Sequence, residues 1–317
     1  MRLPPLKTLP VFEAVARLSS FSHAAESLNI SQSAVSHQIR QLEDYLGEPL
    51  FLRTGRRIRL TEEGNQYFEQ ISSALSQIQR ASEQLQGNED TQIRLAVYSS
   101  FAVSWLIPRL PRLQRLHPQL DLDLEMLSEL PRMSDRMGDC FIAINPKQRG
   151  FSSELLYSER MFPVCSRQYW QHICEDLVQA GLINDTPPDH LKTEWMQRYT
   201  LLSATSIFEK KNEDWRRWLS VDGHSVTHNT RVQHFSHMIM AHEAARHHQG
   251  IALSNDYMFD PEDPVLVRPP CHRLNTGDEF HLAYKTSRRN EPPIRLLKQW
   301  LIQEAIRSGL RNETAAR

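Results

Sequence analysis

Gln32, Ser33, Ser36, His37 and Arg40 supply, within nine residues, the amides, hydroxyls, ring nitrogens and guanidinium that base edges in a DNA major groove can pair with. Soon after come four arginines, Arg53, Arg56, Arg57 and Arg59, without an acidic residue between them. Like charges are rarely packed so tightly on a folded surface unless a polyanion neutralises them, so this run suits phosphates and the entrance to a minor groove. Arg53 and Arg56 are the expected phosphate contacts. Each feature alone has a plainer explanation, a solvated helix face or a solvated charge run. Their adjacency favours DNA.

Two short helices and a hairpin must hold these groups in place. Ser22 is placed to cap a helix running to Leu28, Asn29-Ile30-Ser31 turns the chain, and Ser31 caps a second helix from Gln32 to about Leu46. Along that helix Val35, Ile39, Leu42 and Leu46 recur at steps of four, three and four, so they form one buried face with the polar ridge opposite. Ala24 and Ala25 let the two axes approach closely. Gly47 and Pro49 end the helix, and residues 50–52 and 58–60 form short strands around Thr54-Gly55. The expectation is a winged helix-turn-helix over residues 1–61.

Thr61 then caps a long helix with Glu62 and Glu63 in its first turn, where the dipole favours negative charge. Gly64, Tyr67, Ile71, Ala74, Ile78, Ala81 and Leu85 recur alternately at three and four, a heptad seam that needs a partner surface. Dimerisation through residues 62–86 is expected, with packing onto the chain's own winged domain as the alternative. Gly87 to Asp90 breaks the helix, so residues 62–87 read as a linker.

Beyond it the pattern alternates. Strands are expected at 93–98, 120–127, 141–144, 162–165, 251–254, 265–268 and 280–284, and helices at 101–116, 237–248 and 293–307. Leu120, Leu122, Leu124 and Met126 should face inward and Asp121, Asp123 and Glu125 outward, as on a half-covered edge. Alternation of this kind implies an α/β fold with ligand access at strand ends. Ser99 and Ser100, at the start of the first of these helices, lie where free N–H groups could meet an anion.

The segment from Leu6 to Glu63, LKTLPVFEAVARLSSFSHAAESLNISQSAVSHQIRQLEDYLGEPLFLRTGRRIRLTEE, resembles the winged helix-turn-helix of LysR-type transcriptional regulators almost position by position. WLIPRL at 105–110, VCSRQYW at 164–170, WRRWL at 215–219 and QGIAL at 249–253 extend the likeness to about Trp300. They point to the branch that contains the glycine-cleavage activator and the β-lactamase regulator. The resemblance implies a periplasmic-binding-protein-like effector domain over 91–310, with lobe I at 91–162 and 266–310 and lobe II at 163–265. By position it adds Ser128, Ser203, His234 and Phe235 to Ser99 and Ser100 as effector-binding residues. For Ser128 and Ser203 a simple turn or cap is an equal alternative.

It further implies a ligand-responsive regulator of promoter DNA, a homodimer or homotetramer, with RNA polymerase as a partner, and an effector that is a carboxylate or an amino acid. Two departures stand out. The family's usual recognition-helix arginine is His37 here. The strand Asp139-Cys140-Phe141-Ile142-Ala143-Ile144-Asn145 is not followed by the arginine many relatives carry.

Composition agrees with a soluble cytoplasmic regulator. The 317 residues, 40% hydrophobic, allow two or three domains. Net charge is −1, but residues 1–60 hold eight Lys/Arg against five Asp/Glu, so positive charge gathers at the proposed DNA end. No signal peptide and no run of about 18 apolar residues is present, which argues against export and membrane insertion. Cys140, Cys165, Cys174 and Cys271 are too scattered for a CxxC metal or redox motif. No GxSxG, glycine-rich phosphate loop or paired carboxylate argues for an enzyme, and no cofactor is expected.

Seven histidines between 224 and 248 invite a metal-responsive alternative. Yet His242 and His247 lie about 140° apart around a helix, which prevents them from sharing a metal face.

Overall fold

The computed structural model describes residues 3–54, 57–85, 92–127, 133–134, 137–184, 187–205, 208 and 210–312. They fall into two compact units that part near residue 91.

In the amino-terminal unit, α1 (Thr8–Leu18), α2 (Phe21–Ser27) and α3 (Gln32–Leu46) precede a hairpin of β1 (Phe51–Thr54) and β2 (Arg57–Leu60), and then α4 (Glu62–Leu85). Helix α1 was not anticipated. Its signal is Val11, Phe12, Val15 and Ala16, all buried in a core with Phe21, Ala24, Val35, Ile39, Leu42, Leu50 and Phe68. Phe12 sits at the hub, its ring 5.6 Å from Phe51 and 6.2 Å from Phe68.

The cap of α2 is Ser20 rather than Ser22. Ser20 is extended and its hydroxyl accepts from the His23 N–H at 3.2 Å, because the helix must begin early enough to bring Phe21 into the core. Ser31 caps α3 by accepting from the Ala34 N–H at 3.1 Å, and Gly47 ends it in the left-handed region at φ 76°. The hairpin strands lie a residue or two nearer the turn than expected, pairing Phe51 with Leu60 and Thr54 with Arg57.

Thr61 begins α4 by accepting from the Gly64 N–H at 2.8 Å, while its hydroxyl donates to the Pro49 carbonyl at 2.9 Å. Gly64 is obligatory here, since a Cβ would stand 2.1 Å from the Leu50 carbonyl oxygen. The heptad seam divides. Tyr67 and Ile71, with Leu75 beside the seam, lean on the chain's own core, whereas Ala74 is exposed and Ile78 is 64% exposed. The side chains of Ala81 and Leu85 lie outside the described residues.

The carboxy-terminal unit opens with β3 (Gln92–Tyr98) and a helical stretch. That stretch is built from α5 (Ser99–Phe101), a π turn (Ala102–Leu106), a 3₁₀ turn holding Pro108 (Ile107–Arg109) and α6 (Leu110–Leu116). Then follow β4 (Asp121–Leu127), β5 (Cys140–Ile144), β6 (Phe151–Ser166), α7 (Arg167–Gln179), α8 (Thr193–Met196), β7 (Leu201–Ala204), α9 (Glu213–Ser220), β8 (Val232–Phe235), α10 (Met238–Arg246), β9 (Ile251–Asn255), β10 (Leu266–Val267), β11 (Leu274–Lys285) and α11 (Pro292–Arg307).

Among the described residues the strands run β4-β3-β5-β11-β6-β9-β7-β8, with β10 added to β6. The first five form one lobe and the last four the other, with β6 shared. Strand 162–165 of the sequence reading is thus the tail of a 16-residue strand. Its first half, β7, β8 and α7 to α9 were not foreseen. On the edge strand β4, which pairs only with β3, Leu122 and Leu124 are half-buried but Met126 is 68% exposed, so the expected inward row is not kept to its end. No described helix is long and apolar enough to cross a membrane.

Candidate nucleic-acid interface and effector cleft

Helix α3 buries Val35, Ile39 and Leu42 and leaves Gln32, Ser33, His37 and Arg40 exposed, with Ser36 half-buried beside them. At 1.5 Å rise per residue, Gln32 to Arg40 spans about 12 Å along the axis, close to the width of a major groove. The ridge is free of ion pairs among the described residues. Ser33 lies 2.9 Å from the hydroxyl of the capping Ser31. The hairpin is fastened to the end of the same helix: Glu43 Oε1 accepts from the Leu50 N–H at 2.8 Å and the Phe51 N–H at 3.3 Å. Arg59 is exposed on β2. The side chains of Arg53 and Arg57, and all of Arg56, lie outside the described residues.

In the other unit, Ser99 and Ser100 open α5 directly after β3. Ser99 is half-buried, and Ser100 is buried with its Oγ 3.2 Å from the Tyr257 hydroxyl. Tyr257 follows β9, so this contact already joins the two lobes. Ser128 lies outside the described residues. Ser203, at the end of β7, is fully buried and donates to Asp214 Oδ1 at 2.7 Å.

Asp214 also accepts from the Ala204 N–H at 2.9 Å and the Trp215 N–H at 2.8 Å. Burial nonetheless pushes its carboxyl above the ordinary range, because these donors only partly offset the loss of water. His234 Nδ1 lies 3.3 Å from Ser203 Oγ and Nε2 lies 3.1 Å from Thr205 Oγ1. Because the Ser203 hydroxyl donates to Asp214, its oxygen is left to accept from Nδ1–H of His234. Phe235 is half-buried, and its carbonyl accepts from the Thr205 N–H at 3.0 Å. The structure therefore gathers Ser203, His234 and Phe235 on neighbouring ends of β7 and β8, and Ser99 and Ser100 on the end of β3.

Sequence reasoning missed the carboxylates around them. Asp214 is one. Glu159 on β6 is another: it is 2% exposed, and burial raises its carboxyl to about 8 despite a 3.0 Å hydrogen bond from Asn255 Nδ2. The strand that departs from the family pattern is anchored at both ends. Asp139 pairs with Arg288 at 2.6 Å and with Arg94 at 3.3 Å, and Arg288 also holds Glu291 at 2.7 Å. Asn145 donates to Asp278 at 2.7 Å and accepts from the Glu279 N–H at 2.9 Å.

Three of these histidines are engaged separately: His242 Nε2 faces the buried Ser254 at 3.1 Å, His248 the Ser166 hydroxyl at 2.6 Å, and His247 the Glu243 carboxylate at 3.4 Å. Among the described residues no three His, Cys, Asp or Glu side chains converge as a metal site would require.

Comparison with known proteins bears on both regions. Residues 6–65 match the model for the bacterial regulatory helix-turn-helix protein of the lysR family, and residues 86–306 match the LysR substrate binding domain. The chain is 35% identical over 312 residues to the glycine cleavage system transcriptional activator of Escherichia coli K12, covering 96% of this chain and 95% of that one. It is 28% identical over 307 residues to the transcriptional regulator BlaA of Proteus vulgaris, covering 96% and 97%. Among solved structures, ArgP of Mycobacterium tuberculosis superposes with a TM-score of 0.67 at 19% identity, covering 96% of this chain and 98% of that one. OxyR of Pseudomonas aeruginosa gives 0.64 at 17%, covering 96% of each.

Proposed function

The chain belongs to the LysR family of ligand-responsive, DNA-binding transcriptional regulators and is not an enzyme; from that premise we propose how its two units divide the work. Gln32, Ser33, Ser36, His37 and Arg40 read base edges, and Arg53 and Arg56 grip the flanking phosphates. The observation that carries this reading is the exposed polar face of α3, free of ion pairs among the described residues and directly followed by the arginine hairpin. His37, in place of arginine, gives up bidentate pairing to guanine, so the operator preference at that step differs from that of arginine-bearing relatives.

Residues 1–61 are the reader, 62–87 the dimerisation linker and 91–310 the effector domain. The outward Ile78 of α4, 64% exposed, supports pairing of two chains into a dimer, and paired dimers would hold two spaced half-sites. Such an assembly acts in the cytoplasm, where it meets promoter DNA and RNA polymerase. The effector is a carboxylate or an amino acid, seated between Ser99, Ser100 and Ser128 on one lobe and Ser203, His234 and Phe235 on the other.

The test begins with the protein's own upstream region. Full-length protein should retard that fragment at moderate salt. Arg53→Ala with Arg56→Ala should weaken binding to all sequences and lower the slope of log affinity against log salt by about two. An unchanged slope would remove the phosphate assignment.

A further inference from the structure

Glu159 has no role in the reading above, yet its place in the fold is singular. It stands on β6 where the strand passes between lobes, opposite the register shift between Asn275 and Glu279, and just before β6 takes up β9 at Met161. Burial alternates along this stretch, so Glu159 shares its face with Tyr157 and Met161. Its Oε1 accepts from Asn255 Nδ2 at 3.0 Å, whereas Oε2 is enclosed and has no hydrogen-bond partner.

Such an oxygen is expensive to leave alone, since a buried carboxyl normally holds two or more donors. The charged groups around it do not relieve it. Arg160, next on the strand, bonds Asp256 at 2.8 Å, and Arg273 bonds the same carboxylate at 3.4 Å. Asp256 and Asp278 add negative charge, and Tyr157 and Tyr257 complete the titratable neighbourhood. One more enclosed polar atom without a partner belongs here: the hydroxyl of Tyr98, which immediately precedes Ser99. Tyr257 feels both Tyr98 and Glu159, and its own hydroxyl meets Ser100.

We propose that Glu159 is the amine-recognising group of the effector cleft, its Oε2 receiving a primary ammonium of the effector while the Tyr98 hydroxyl accepts a second N–H. The assignment rests on the cleft being the effector site, and it narrows the effector to amine-bearing compounds, α-amino acids before simple acids. A donor with positive charge fits better than a neutral one, because a carboxylate formed at Glu159 has no cation of its own: Arg160 and Arg273 are both committed to Asp256. Admission requires rearrangement of the packed rings of Tyr157, Tyr257 and Phe280. Empty, the carboxyl holds its proton at neutral pH. On binding, that proton leaves to buffer and the carboxylate pairs with the ammonium, so charge and protons balance.

Thermal unfolding and calorimetry on the full-length protein test this with the proteinogenic amino acids, their hydroxy-acid counterparts (glycolate for glycine, lactate for alanine) and simple aliphatic amines. The expected result is an amino acid bound at least about tenfold tighter than its hydroxy-acid counterpart. Glu159→Gln, which keeps the shape of the side chain, should lose that preference.

A second measurement needs no variant: titration of the wild-type protein at pH 7 in phosphate and in Tris should reveal release of close to one proton per ligand. Equal affinity for hydroxy acids would overturn the amine subsite and leave the carboxylate reading standing. Retained preference in Glu159→Gln, or binding without proton release, would overturn it as well. Failure of every compound to bind would remove both the subsite and the effector reading, while the DNA assay remains independent of either.

Discussion

The helix proposed to read DNA and the cleft proposed to hold an effector solve opposite problems. On α3 the polar groups are exposed, drawn from nine consecutive residues, and need only a buried apolar stripe behind them. In the cleft Ser100, Ser203 and Glu159 are buried and Ser99 and His234 half-buried, and the polar groups come from the ends of β3, β7, β8 and β9 and from the middle of β6. A polyanion is long and is met by a surface, whereas a small molecule must be enclosed and is met by side chains that only the fold assembles. The lesson is that one unit depends on capping and close packing, the other on the electrostatics of buried groups.

Breaking the packing side should give the largest effect. Gly64→Ala places a methyl 2.1 Å from the Leu50 carbonyl oxygen, so the amino-terminal unit should lose about 3 kcal/mol and its DNA binding at elevated temperature. Calorimetry should record this as a fall of one transition alone. A matching fall in effector affinity would show that the contrast between the units is false.

The next effect lies on the buried-charge side. Arg288, 7% exposed, leaves Asp139 and Glu291 without their shared cation when changed to alanine, at a loss of about 3 kcal/mol near neutral pH. Burial raises the Asp139 carboxyl, but the Arg94 N–H and the Arg288 and Arg94 guanidinium groups outweigh it and leave it below the usual range. A depressed folded value means the stabilisation is present above about pH 4 and is lost as pH falls through the folded-state value. Acid titration of the variant, followed by far-UV circular dichroism, should therefore be flatter than that of the wild type.

Glu159 has the opposite sign. Raised to about 8 in the folded protein, it disfavours folding increasingly as pH climbs from about 4 toward that value. Glu159→Gln should thus add about 2 kcal/mol at pH 7 and almost nothing at pH 4, measured by urea unfolding. Greater instability at neutral pH would mean that the carboxylate is already paired.

Smaller effects return to the helix. Arg40→Ala should reduce operator affinity about tenfold while leaving the binding of unrelated duplex nearly unchanged, as expected of a base contact and not of a phosphate contact. Ser31→Ala removes the cap on Ala34 and should lower stability by about 1 kcal/mol, read as a small drop in midpoint without loss of sequence preference.

The contrast also explains what could be read from the chain beforehand. Val35, Ile39 and Leu42 announce their face by spacing alone, and Thr61 announces the start of α4, because both signals are local. Ser22 and Ser20 are equally good capping residues, and the choice between them is made by Phe21 seeking the core. Glu159 gives no local sign. It lies in SELLYSERMF, a stretch whose strand character depends on β11 pairing from more than a hundred residues away. The same holds for Asp214, whose partner Ser203 is close in sequence but whose burial goes with the docking of α9 on β7, where Trp215 Nε1 donates to the Leu202 carbonyl at 3.0 Å.

The shared strand β6 has a mechanical consequence. With a single ribbon of sixteen residues serving as spine to both lobes, a hinge made of loose loops is not available at this crossing. Relative motion must be taken up as torsion of a hydrogen-bonded ladder, and the compliant point is the irregular register beside Asn275, where rungs are already missing. The domain should accordingly respond to its effector as a spring twisted through a small angle, resisting graded opening and returning promptly when the ligand departs.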